Sequence, residues 1–175
     1  CRLNEAEVEQ WANALQAAGF ALAEQADAAD LVVLNTCAVT QTAERKSRQS
    51  LRRLRRANPR ARILVTGCQA TLAPAGQGRA DGADVVLPNA KKASLAEAAL
   101  RLLEIPVAHH PAPRLAKSSS LFARQRQRVF IKVQDGCRWR CGFCIVTLAR
   151  GEERSRPVTD ILAEIRAHHA AGVQE

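Results

Sequence analysis

The chain has 175 residues, 47% of them hydrophobic and 25% charged, with a formal net charge of +9 at pH 7 and six cysteines. That composition belongs to a folded globular protein and excludes a disordered one, and no apolar run approaches the roughly 20 residues of a membrane span, so a cytoplasmic protein is expected. Six cysteines in a chain whose helix and strand patterns can build a core argue for reduced thiols and metal ligation over disulfides.

The opening stretch "NEAEVEQWANALQAAGF" spaces Val8, Trp11, Leu15 and Phe20 at near-helical intervals around a stop at Gly19, which predicts an amphipathic helix of about four turns. "ADLVVLNTC" is a continuous apolar run that predicts a strand buried on both faces, with Cys37 just past its end. Thr40 to Ala57 predicts a helix capped by Thr40 or Thr42, with Leu51 and Leu54 inward and Asn58-Pro59 ending it. "ARILVTGC" repeats the strand-then-cysteine pattern, placing Cys68 after a turn glycine. A short helical stretch, a third apolar run over 83–89 and a helix over "AKKASLAEAALRLLE" follow. Strands and helices in alternation predict an α/β fold with a parallel sheet covered on both faces.

The pattern then fails. Pro106, Pro111, Pro113 and Ser118 to Ser120 predict a linker over 106–127, separating a domain at 1–105 from a second at 128–175. In the second, "RVFIKVQ" (128 to 134) predicts a strand, the cysteine segment a long loop, and Thr159 or Asp160 the start of a helix to about Ala171. The chain contains no methionine, and both ends read as cut, so an excerpt of a longer protein is expected.

Two basic stretches, "RKSRQSLRRLRRANPRAR" (45 to 62) and "RQRQRVFIKVQDGCRWR" (124 to 140), hold much of the positive charge. Nucleic acid is the natural partner of such stripes; the competing reading is a solvated helix face.

Cys37 and Cys68 occupy one place in two successive βα units, beyond the C-terminal ends of neighbouring strands, where open α/β sheets gather ligands. Cys1 would hold the equivalent place after a preceding strand, so three thiols are expected to converge; the alternative is three small hydrophobes. Cys137, Cys141 and Cys144 stand at intervals of four and then three, and Gly136 and Gly142 suggest a loop wrapping an object, its amides free to donate to sulfur. Structural zinc prefers four ligands in paired short spacings, which here would have to be completed by His109 or His110. An iron-sulfur cube held by three cysteines instead leaves one iron for a non-protein ligand. Lys132, Arg138, Arg140 and Arg150 would ease reduction of such a cluster and could receive an acidic electron donor.

"CRWRCGFC" resembles the CxxxCxxC signature of radical S-adenosylmethionine enzymes, and "KVQDGCRWRCGFCIVTLARGEERSR" is similar to their methylthiotransferase branch. Upstream, "CRLNEAE", "VLNTCAVTQTAERKSRQ" and "ILVTGCQA" resemble that branch's N-terminal domain. The resemblance implies a flavodoxin-like parallel-sheet domain lacking its first strand, followed by the first βα unit of a partial (β/α) barrel. It implies two 4Fe-4S clusters: one on Cys137, Cys141 and Cys144 binding S-adenosylmethionine, with Phe143 against its adenine, and an auxiliary one on Cys1, Cys37 and Cys68. The implied activity is methylation of a sulfur and its insertion at an unreactive carbon.

"CRLN" and the basic helix are most similar to the branch that methylthiolates threonylcarbamoyladenosine beside the tRNA anticodon, which implies the tRNA anticodon loop and a flavodoxin or ferredoxin as partners. Other substrates within the family are a different tRNA adenosine or a ribosomal protein. A rival class is a zinc-stabilised RNA-binding module without catalysis. Thr147 and Leu148 depart from the proline and aromatic usual in the family, and the later barrel strands are absent, so this stretch alone is expected to be inactive.

Overall fold

A computed structural model describes residues 2–105 and 129–174. Cys1, the linker predicted over 106–127 and the Arg128 start of the second predicted strand lie outside the described residues. The chain divides into two compact units, one formed by Ala23–Val107 with Gly136–Glu152, the other by Cys1–Leu22, Ala108–Asp135 and Glu153–Glu175.

The first unit is built on a parallel sheet of β1 (Leu31–Thr36), β2 (Arg62–Gly67) and β3 (Val85–Leu87), with β2 central. Thr36 stands opposite Gly67, and Leu64 opposite Val85. The α/β class and parallel sheet expected from the alternating pattern are therefore observed. Ile63, Leu64 and Val65 of β2 are buried, as a continuous apolar run requires when helices cover a strand. β1 departs from the expectation: it is half-buried apart from Thr36, because among the described residues it has a single strand neighbour.

Helix α2 (Gln41–Ala57) starts where the Thr40 hydroxyl accepts the Ala43 N–H at 3.1 Å. It lays Leu51 and Leu54 on a cluster of Ile63, Val65, Ala70 and Ala83. Its exit is stapled by Asn58, whose amide nitrogen donates to the carbonyls of Ala26, Asp27 and Ala29 while its oxygen accepts the Ala61 N–H. Arg55 donates to the carbonyls of Gly82 and Ala61 and pairs with Asp84. Asp84 also accepts the Ile63 N–H at 2.7 Å. Burial raises the Asp84 pKa, but the Ile63 N–H and the Arg55 guanidinium outweigh it, so the carboxyl sits below its ordinary value.

Short helices α3 (Cys68–Leu72) and α4 (Gln77–Ala80) lead into β3. The helix predicted over 90–104 instead opens as a 3-10 segment, Asn89–Ser94, and becomes α5 only over Leu95–Leu102. The Ser94 hydroxyl donates to the Lys91 carbonyl at 2.9 Å, a local bond that competes with the regular helical ladder.

In the second unit, α1 (Arg2–Ala17) ends as Gly19 turns to φ +91° and Phe20 N–H reaches the Leu15 carbonyl. The stripe expected through Val8 and Trp11 is only half-buried; Ala6, Ala12 and Leu15 are buried together with Glu7 and Glu9. Glu7 is tolerated inside because the Lys132 ammonium lies 3.2 Å from it, and 3.5 Å from Asp135. The strand predicted over 128–134 shortens to β4 (Gln134–Asp135), antiparallel to β5 (Arg154–Ser155). Among the described residues no parallel neighbour offers it a ladder, so it pairs only with the chain's own return. α7 (Val158–Ala170) follows, close to its predicted bounds, with Arg156 bridging Glu164 at 2.6 Å and the Lys132 carbonyl at 2.7 Å.

Candidate metal centre

The first thiols are placed by the sheet. Thr36 and Gly67 are the last paired residues of β1 and β2, so Cys37 and Cys68 emerge side by side in register at neighbouring strand ends. Beneath them the Thr36 hydroxyl donates to the Thr66 carbonyl at 2.6 Å and accepts the Ala70 N–H at 3.0 Å, tying both strands to α3. Gly67 has φ +100°, and a Cβ there would overlap the Thr36 carbonyl oxygen, so only glycine turns the chain this tightly. Cys37 donates its N–H to the Ser47 hydroxyl of α2 at 3.3 Å. Cys68 is buried, with the Asn89 amide nitrogen 3.8 Å from its sulfur.

The second set lies on the loop from Gly136 to Glu152, in the same unit as the parallel sheet. Gly136 (φ +72°) passes so close to the Glu152 carbonyl that a Cβ would overlap it, and Cys137 N–H donates to the Gly151 carbonyl at 3.1 Å. Cys144 N–H reaches back to the Cys141 carbonyl at 3.0 Å, folding the interval between them into a turn. α6 (Val146–Arg150) follows at once. Its Thr147 hydroxyl donates to the carbonyls of Cys137 (3.2 Å) and Trp139 (2.9 Å), so this side chain clamps the loop.

α6 rests on α3, and the buried Ala149 carbonyl accepts the Asn89 amide at 2.6 Å. One carboxamide therefore touches both the Cys68 sulfur and the helix that follows Cys144. Sequence reasoning missed Asn89. The available signal was position, since it lies just past the end of β3, as Cys37 and Cys68 lie just past β1 and β2.

Cys141 is exposed, while Cys137 and Cys144 are half-buried. Phe143 is 95% exposed, with both faces open to a flat ligand, and Trp139 and Leu148 are exposed beside it in sequence. All five described cysteines are free thiols. Among the described residues no three His, Cys, Asp or Glu side chains form a ready-made metal cage. The donor set nevertheless fits an iron-sulfur cluster chemically, because both sets offer thiols alone, on a pliable loop in one case and at strand ends in the other.

The expected cationic surround is different in detail. Lys132 is answered by Glu7 and Asp135 and is only 12% exposed, so it offers no free charge to an acidic donor. Arg150 is buried, Arg138 lies over the Trp139 ring and Arg140 is 3.9 Å from Glu152.

Comparison with known proteins matches residues 1–88 to the family described as uncharacterized protein family UPF0004. The whole chain is 35% identical to threonylcarbamoyladenosine tRNA methylthiotransferase MtaB of Chlamydia pneumoniae, covering 40% of that protein. It is 30% identical to tRNA-2-methylthio-N(6)-dimethylallyladenosine synthase of Herpetosiphon aurantiacus, again over the whole chain and 40% of the relative. Over 92% of its length it is 32% identical to ribosomal protein uS12 methylthiotransferase RimO of Rhodopseudomonas palustris, covering 36% of it. The chain thus spans about two fifths of the length of the curated relatives it matches.

Proposed function

Since the chain belongs to the UPF0004 family, we propose that it is the N-terminal portion of a tRNA methylthiotransferase acting on threonylcarbamoyladenosine next to the anticodon. What carries this reading is the glycine-gated CxxxCxxC loop, seated in the same unit as the strand-end cysteines. On it, 1–105 is the N-terminal domain, 106–127 a linker and 128–175 the opening of the radical S-adenosylmethionine domain, and the protein works in the cytoplasm.

Cys137, Cys141 and Cys144 would hold one 4Fe-4S cluster with S-adenosylmethionine, and Cys1, Cys37 and Cys68 an auxiliary one; when bound, this pair supplies the radical and sulfur chemistry needed at an unreactive carbon. The chain's own residues do the positioning. Phe143 offers an exposed ring for adenine stacking, Thr147 holds the Cys137 side of the loop, and Asn89 fixes Cys68 and α6. Activity belongs to the longer protein, reduced by a flavodoxin or ferredoxin.

Anaerobic reconstitution of the full-length protein with iron and sulfide should load roughly eight irons, and Cys141→Ala or Cys68→Ala should each remove about half. Mass spectrometry of tRNA nucleosides from a deletion strain should show loss of the methylthio group from threonylcarbamoyladenosine. An unchanged level would move the substrate to another tRNA adenosine or to a ribosomal protein, as in the relatives. Zinc alone, with no broad visible absorption, would replace the enzyme by a metal-stabilised RNA-binding module.

A further inference from the structure

The structure splits the arginine run of α2 into two groups. Arg52 is bound to Asp81 at 2.6 Å and Arg55 to Asp84 and the carbonyls of Pro59, Ala61 and Gly82, so through Asp81, Gly82 and Asp84 both hold the helix to the chain before β3. The side chains of Arg45, Arg48, Arg53 and Arg56 make no ion pair or hydrogen bond among the described residues. With Gln49, Arg52 and Ala57 they line one open groove along the helix. At 100° per residue they fall on the arc opposite Leu51 and Leu54, and from Arg45 to Arg56 the stripe runs about 16 Å.

We propose that this stripe is a docking track for the sugar-phosphate backbone of RNA, resting on the reading that the full protein acts on tRNA. Three observations favour phosphate. Arg45 with Arg48, and Arg53 with Arg56, are like charges at helical i,i+3 spacing, which repel along the helix unless a polyanion screens them. Each guanidinium is a planar fork suited to bidentate phosphate contact. Apart from the small Ala57, the groove-lining side chains are cationic or amide, with no aromatic or large aliphatic anchor of the kind a protein partner's interface core needs. Backbone contacts carry no base information, so the stripe grips the body of the tRNA whatever nucleoside it bears, leaving selection to the cysteine site.

The test uses the full-length protein with Arg45, Arg48, Arg53 and Arg56 all changed to Gln, and tRNA binding followed against salt. Affinity should fall roughly 100-fold and the log-log salt slope should flatten by about 3, equally for modified tRNA and for a transcript lacking the target nucleoside. The fourfold change to Lys should keep the slope, and Arg55→Gln should lower the melting temperature with the slope intact. Circular dichroism and iron content establish that the Gln variant is folded and loaded. An unaltered slope overturns the proposal, as does normal tRNA binding combined with slow reduction by a flavodoxin, which would assign the stripe to a protein. Nucleoside analysis of the deletion strain is independent of all this: unchanged nucleosides with a flattened slope would remove the proposed reaction and keep the RNA track.

Discussion

The strand-end thiols and the loop thiols reach the same unit by opposite means. Cys37 and Cys68 are fixed by the sheet: they follow paired residues of β1 and β2, over a core that includes Ile63 and Val65. Cys137, Cys141 and Cys144 are fixed by a few hydrogen bonds around Gly136 and Thr147, and Cys141 is exposed. The first arrangement is as stable as the fold; the second can open locally while the sheet persists. A rigid thiol pair suits a site that must not drift, and a compliant trio suits one that must close around an incoming group.

The sharpest way to separate the two is at their glycines. Gly67→Ala places a Cβ against the Thr36 carbonyl in the left-handed region, and should cost about 3 kcal/mol or more of global stability in denaturant titration. Gly136→Ala meets an equally close carbonyl, yet should speed hydrogen exchange only over 136–152 while β1 to β3 stay protected. Equal global losses would erase the distinction.

Asn89 is where the two arrangements touch, so Asn89→Ala should cost about 2 kcal/mol, since it orphans the buried Ala149 carbonyl. Amide exchange at 146–150 should quicken in that variant, and an unchanged rate would mean that the contact with α6 carries no weight.

The smallest effect is a pH dependence confined to the sheet. The Asp84 carboxyl is depressed below its ordinary 3.8 in the folded chain, so its stabilisation is full above the unfolded value and is lost as pH falls through the folded one. Stability should decline below about pH 4, and Asp84→Asn should remove part of that acid slope without altering exchange in the cysteine loop.

Much of the sheet unit was legible because its determinants are local. A capping threonine, an apolar face at Leu51 and Leu54 and continuous apolar strands each act within a few residues. The cysteine sets were legible as candidates for a similar reason, since ligand spacing is written along the chain. What escaped depends on distant partners. Glu7 is buried because Lys132, 125 residues away, answers it, and no pattern around Glu7 announces that. Asn89 matters through Ala149, 60 residues on. The strand read over 128–134 shortened because an apolar stretch states a preference, whereas a strand needs a neighbour, and among the described residues only Arg154–Ser155 supplies one.

The loop's two ends meet, with Gly136 against the Glu152 carbonyl and Cys137 N–H on that of Gly151. A hoop knotted at its own neck is a module: the exposed positions between its cysteines, such as Trp139, can be recoded without transmitting strain past the knot. Diversification of such a protein would then proceed at the rim of the hoop, with the glycine at its neck as the position least free to vary.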